Sequence, residues 1–100
     1  MDFETKLAAV EDEAQRALLC REELFCLVFE RHPYAGGVIV DRILNINHHS
    51  SSLLRLIKDE KQLIEYENII IKEGSEDPAI RQLVEQENAI PLPAIRDSAA

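Results

Sequence analysis

The sequence predicts an all-α protein: an antiparallel hairpin of two long helices, a short third helix and an extended tail. Three observations carry this. The chain is rich in aliphatic residues and poor in aromatic ones, with 46% hydrophobic residues, 5% aromatic and no Trp, a balance that favours helix over strand. Its apolar residues recur at alternating intervals of four and three. Prolines and glycines cluster around 33–37 and 74–78, where they punctuate the periodic segments, and two further prolines follow at 91 and 93.

The first element is expected over about 2–31. Phe3, Leu7, Val10, Ala14, Ala17, Leu24 and Val28 form its seam, and Arg21 is the one charged residue in that series. Acidic residues weight its front half, where those in the first turn favour the positive end of the helix dipole. The end is marked by His32-Pro33, because the residue before proline avoids helical geometry, and Gly36-Gly37 supplies the reversal.

The second element is expected over about 37–73. Ile39, Ile43, Ile46, Leu53, Ile57, Ile64 and Ile71 keep the same spacing, with Ser50, Glu60 and Glu67 filling its gaps. A second row, Leu56, Leu63 and Ile70, repeats every seven residues beside it, giving an apolar face broader than a two-stranded seam requires. Val38-Ile39-Val40 has strand propensity, but Asp41 and Arg42 break the alternation and no second run is available to pair with it. The polar stretch 45–52 has poor helix propensity. The periodicity carries through it, so the segment reads as one helix, with 47–52 the place where a kink or break would fall.

The third helix is expected over about 78–88: Gly74 ends the long helix, Asp77 caps, and Pro78 takes the first helical position, which needs no donor. Ile80, Leu83 and Val84 make its apolar face. Alternating prolines in Ile90-Pro91-Leu92-Pro93 exclude helix there and predict an extended segment. One helical domain over 1–88 and an extended or disordered tail over 89–100 follow.

Charge narrows the function. A net charge of −8 argues against nucleic acid and anionic membrane surfaces, both of which draw on clustered Lys and Arg. Arg55, Lys58 and Lys61 are interleaved with Asp59, Glu60 and Glu65, the pattern of a solvated mixed-charge face. No apolar run approaches the ~20 residues of a membrane span, and Met1-Asp2-Phe3-Glu4 lacks the basic start of a secretion signal, so a cytoplasmic location is expected. Cys20 and Cys26, six residues apart on one helix, are separated by ~9 Å of rise and cannot bridge. Both are expected to act as small buried hydrophobes.

No phosphate-binding, nucleophile-elbow, zinc-protease or paired-cysteine signature occurs, and no enzymatic site, cofactor or metal is expected. The unusual feature is polar residues on an apolar face. On a straight second helix, ~100° per residue places Arg42, His49, Glu60 and Glu67 in one stripe. Paired or partly solvated side chains between layers are the plainer account; a stripe that receives a partner's basic residues, or a ligand or metal site, is the functional alternative. Symmetry about a turn near Gly36 would set Arg21 against His48 and His49. Those two histidines are a conceivable proton switch, though one packed and one solvated ring is the commoner arrangement.

Two helices of ~45–55 Å hide one stripe each, and this chain carries more apolar surface than that. The expected function is therefore a non-catalytic protein–protein interaction module: an adaptor, assembly chaperone or small regulatory subunit, with a protein partner or second copy completing a helical bundle. Leu18, Phe25, Phe29, Leu56, Leu63, Ile70, Glu60, Glu67, Ile90 and Leu92 are the candidate partner-binding residues, the last two as a groove-binding peptide.

Overall fold

The computed structural model describes residues 2–89, and these are all-helical, with no strand among them. In chain order they form α1 (Phe3–Ala8), α2 (Glu13–Arg31), α3 (Gly36–Ile46), α4 (Ser50–Lys58), α5 (Glu60–Glu73), a 3-10 turn (Gly74–Glu76) and α6 (Pro78–Ala89). The expected tail, with Ile90 and Leu92, lies outside the described residues.

The two long helices of the expected hairpin are therefore divided. The first breaks between α1 and α2, where the Asp12 carboxylate accepts a hydrogen bond from the Gln15 amide at 3.2 Å and starts a new helix. Arg16 secures the break by donating from Nη1 to the carbonyls of Leu7 and Val10, both at 2.9 Å, at and just beyond the end of α1. The second long segment breaks twice. One break is at Asn47–His49, inside the stretch of poor propensity. The other is at Asp59, which ends α4 and caps α5 through its bond from the Gln62 amide at 3.1 Å.

These breaks let the chain fold into a slab about two helices thick, with principal extents of 43 × 36 × 19 Å. α2 is its spine and packs chiefly on α3 and α4. Cys20, Leu24 and Val28 of α2 meet Ile39, Val40 and Ile43 of α3 and Leu53 and Leu56 of α4 in one core, joined by Leu7 and Leu63. α5 packs on α3 and α4, and α6 folds back from the 3-10 turn. That return needs Gly74: a Cβ there would lie 2.9 Å from Ile80, the buried residue of α6. α6 begins as expected, with Asp77 accepting from the Ala79 amide at 3.0 Å. No described helix is long and apolar enough to cross a membrane.

Candidate functional site

The described residues offer two kinds of feature: a buried charge network at the corner between α2 and α3, and apolar side chains on outward faces. At the corner, the helical spacing brings Arg31 and His32, at the end of α2, under Glu67 of α5. Glu67 is 1% exposed. Arg31 holds it with two donors, Nε to Oε1 at 2.9 Å and Nη2 to Oε2 at 2.8 Å, the bidentate fork that makes guanidinium the strongest carboxylate partner. His32 Nε2 lies 3.4 Å from Glu67 Oε1, and its Nδ1 lies 3.0 Å from Glu87 Oε1 on α6. The other Glu87 oxygen accepts the backbone amides of Tyr34, at 2.8 Å, and of Ala35. Those amides precede α3, whose own N-cap residue Ala35 supplies no side-chain bond. Glu87 is thus the cap of α3, delivered from another helix.

The electrostatics follow from this geometry. Burial pushes the Glu67 carboxyl up, but hydrogen bonds from His32 and Arg31 outweigh it, and the group lies below its ordinary range. The bond to Glu67 lifts the His32 imidazole above its usual value, against burial and with help from Glu87. No buried side-chain nitrogen or oxygen among the described residues lacks a partner. A network with its buried polar members satisfied ties α2, α5, α6 and the start of α3 together.

The interior stripe expected on the second helix is not formed, because the breaks at 47–49 and Asp59 rotate its members apart. Glu67 is buried as described. Glu60 is exposed, with its nearest cation, Arg31 Nη1, at 3.9 Å. Arg42 is exposed. His49 caps α4 and sits 3.3 Å from Glu13, so Glu13 occupies the place expected for Arg21, which is exposed. His48 and His49 are both exposed, not one packed and one solvated. Among the described residues no three His, Cys, Asp or Glu side chains converge as metal ligands.

The candidate partner-binding residues divide similarly. Leu56 and Leu63 are core residues, 3% and 1% exposed, and are corrected from surface to interior; the turned α4 and α5 bring them into the shared core. Ile70 packs half-buried against the core. Glu67 is withdrawn from any surface by Arg31. Leu18, Phe25 and Phe29 do lie outward on α2, within ~40° of one another around the helix. Phe25 and Phe29 stack with ring centroids 5.2 Å apart and planes at 11°. The Phe29 ring also lies over Gly36, whose missing Cβ would stand 3.1 Å from it. Of the two cysteines, Cys20 is buried and Cys26 exposed. The basic residues Arg55, Lys58 and Lys61 are exposed with their acidic neighbours, as a solvated face requires.

Sequence reasoning missed Ile46 and Ile69, both more than half exposed; Ile46 was counted as seam because its spacing matched. It also missed Glu87, whose only sequence signal was an acidic residue at the end of a helix, where the dipole disfavours one. Comparison of the chain with protein-family models, curated proteins and solved structures gives no match in any of the three.

Proposed function

We propose that this chain is a non-catalytic protein–protein interaction module, an adaptor, assembly chaperone or small regulatory subunit, which works through apolar helix faces left outside its own core. The observation that carries the reading is the α2 face formed by Leu18, Phe25 and Phe29: a stacked aromatic pair held outward on the longest helix. Rings of this kind are typical anchors of protein interfaces, where they bring large area at low entropic cost. The slab form supports it, since helices in a layer two deep keep one side towards solvent. The occupant is an apolar helix, from a partner or from a second copy, laid along α2.

Sedimentation of the full chain, with and without Phe25→Glu and Phe29→Glu, tests this. A dimer dissociated by the substitutions, or a monomer whose binding of an apolar dye falls with them, supports the reading. A wild-type monomer that binds no dye overturns it.

A further inference from the structure

The flank of α2 roughly 150° around from its aromatic face borders a second surface of different chemistry. Two depressions adjoin there and share Ile57: one lies between α2, α4 and α5, the other between α1, α2 and α4. Their floor is apolar, built from the half-buried Phe3, Leu27 and Ile57. Their rim is acidic, carrying Glu30 and Glu60 at one end and Asp2, Glu4 and Glu23 at the other. Two cations line the same groove. Arg31 is committed to Glu67 and reaches Glu60 only at 3.9 Å, so among the described lining residues Arg31 and Lys58 face five carboxylates.

We infer that this groove receives a basic amphipathic helix of another protein, with its apolar face on Phe3, Leu27 and Ile57 and its Lys and Arg side chains against the acidic rim. The charge pattern selects that occupant. A helix laid in a groove is anchored by apolar residues one turn apart, and its flanking charges choose among candidates by matching or opposing the rim. A second copy of this chain brings a net charge of −8, and anionic lipid and nucleic acid bring more negative charge still. The inference rests on the reading of the chain as an interaction module, but it uses a different face from the Phe25–Phe29 pair and adds the chemistry of a partner.

The experiment measures binding of a fluorescein-labelled amphipathic Leu/Lys helical peptide to the full chain by anisotropy. A peptide of the same composition in scrambled order and a Leu/Glu amphipathic peptide serve as comparators. The amphipathic basic peptide is expected to bind, the acidic one not at all, and the scrambled one far more weakly. Combining Glu23→Gln, Glu30→Gln and Glu60→Gln is expected to weaken binding by about tenfold, the summed effect of one half-buried and two exposed rim charges, with the melting temperature as the check on folding. Phe25→Glu with Phe29→Glu should leave peptide binding unchanged. No binding, equal binding of the scrambled peptide, or an affinity indifferent to the three glutamates overturns the inference. Peptide binding lost with association through Phe25 and Phe29 intact would sink the groove alone.

Discussion

At each end of α2 a glutamate reaches the start of a helix that begins elsewhere in the chain, and a histidine stands beside it. At the first end, Glu13 accepts the Ser50 amide at 2.8 Å and the Ser50 hydroxyl at 2.7 Å, with His49 Nε2 3.3 Å away. At the second, Glu87 accepts the amides of Tyr34 and Ala35, with His32 beside it. The parts are alike and the surroundings are not. The side chains of Glu13 and His49 are 45% and 63% exposed, whereas those of His32 and Glu87 are 16% and 9% exposed and rest on Glu67 at 1%. At the first corner water reaches Glu13 and His49 freely, although Ser50 beneath them is 4% exposed. At the second it is largely kept from His32, Glu87 and Glu67, so those members depend more on one another. Burial, and not the choice of residues, sets how much a cross-helix cap matters.

Substitutions at the buried corner should therefore dominate. The largest loss is expected for Glu67→Ala, which strips Arg31 and His32 of their shared counter-charge and should cost about 3 kcal/mol in denaturant unfolding. Glu87→Ala follows at about 2 kcal/mol, because it uncaps α3 and leaves His32 one partner short. A cost for Glu67→Ala no larger than that of a surface substitution would break the comparison.

The pH response sharpens it. His32 titrates above its ordinary value near 6.5, so its contribution is complete below that pH and is lost as pH rises through the raised folded value. Glu67 titrates below its ordinary 4.5. Its contribution is complete above that value and is lost as pH falls through the depressed folded one. The buried corner should thus contribute most between about pH 4.5 and 6.5, the interval in which both terms are whole. Subtracting the melting curve of His32→Gln from wild type across that range and upward to mild alkalinity measures it. The wild-type advantage should shrink on the alkaline side. The smallest effect belongs to Glu13→Ala. The bonds from the Ser50 amide and hydroxyl hold the Glu13 carboxyl below its usual range. Removing the half-exposed Glu13 opens a path for water to Ser50, itself 4% exposed, and the loss should fall short of that for Glu87→Ala.

The helical class, the stop at His32-Pro33, the turn at Gly74 and the start at Pro78 were all legible, because each rests on a residue whose backbone preference is strong and local. The breaks at Asp12 and Asp59 were hidden by the very periodicity that revealed the helices. Apolar spacing of four and three runs through both points, since α1 and α2, like α4 and α5, turn their apolar sides to one core. A capping aspartate looks like a surface aspartate when read by spacing alone. The trace that distinguishes them is repeated: Asp12 and Asp59 each precede a glutamine by three residues, and each accepts that glutamine's amide. Once the breaks were missed, the stripe of Arg42, His49, Glu60 and Glu67 followed from a straight helix that does not exist. Leu18, Phe25 and Phe29 were legible as surplus because α2 is unbroken where they lie.

The reach of Glu87 also bears on the order in which the protein assembles. The two amides it accepts lie 53 and 52 residues earlier in the chain, and His32 lies 55 earlier. Closing so long a loop is entropically slow compared with joining neighbours. The spine with α3 and α4 draws on contacts nearer in sequence and has no need to wait for it. Glu87 follows all of α1 to α5 in the chain, so this corner is expected to seal after α2, α3 and α4 have packed.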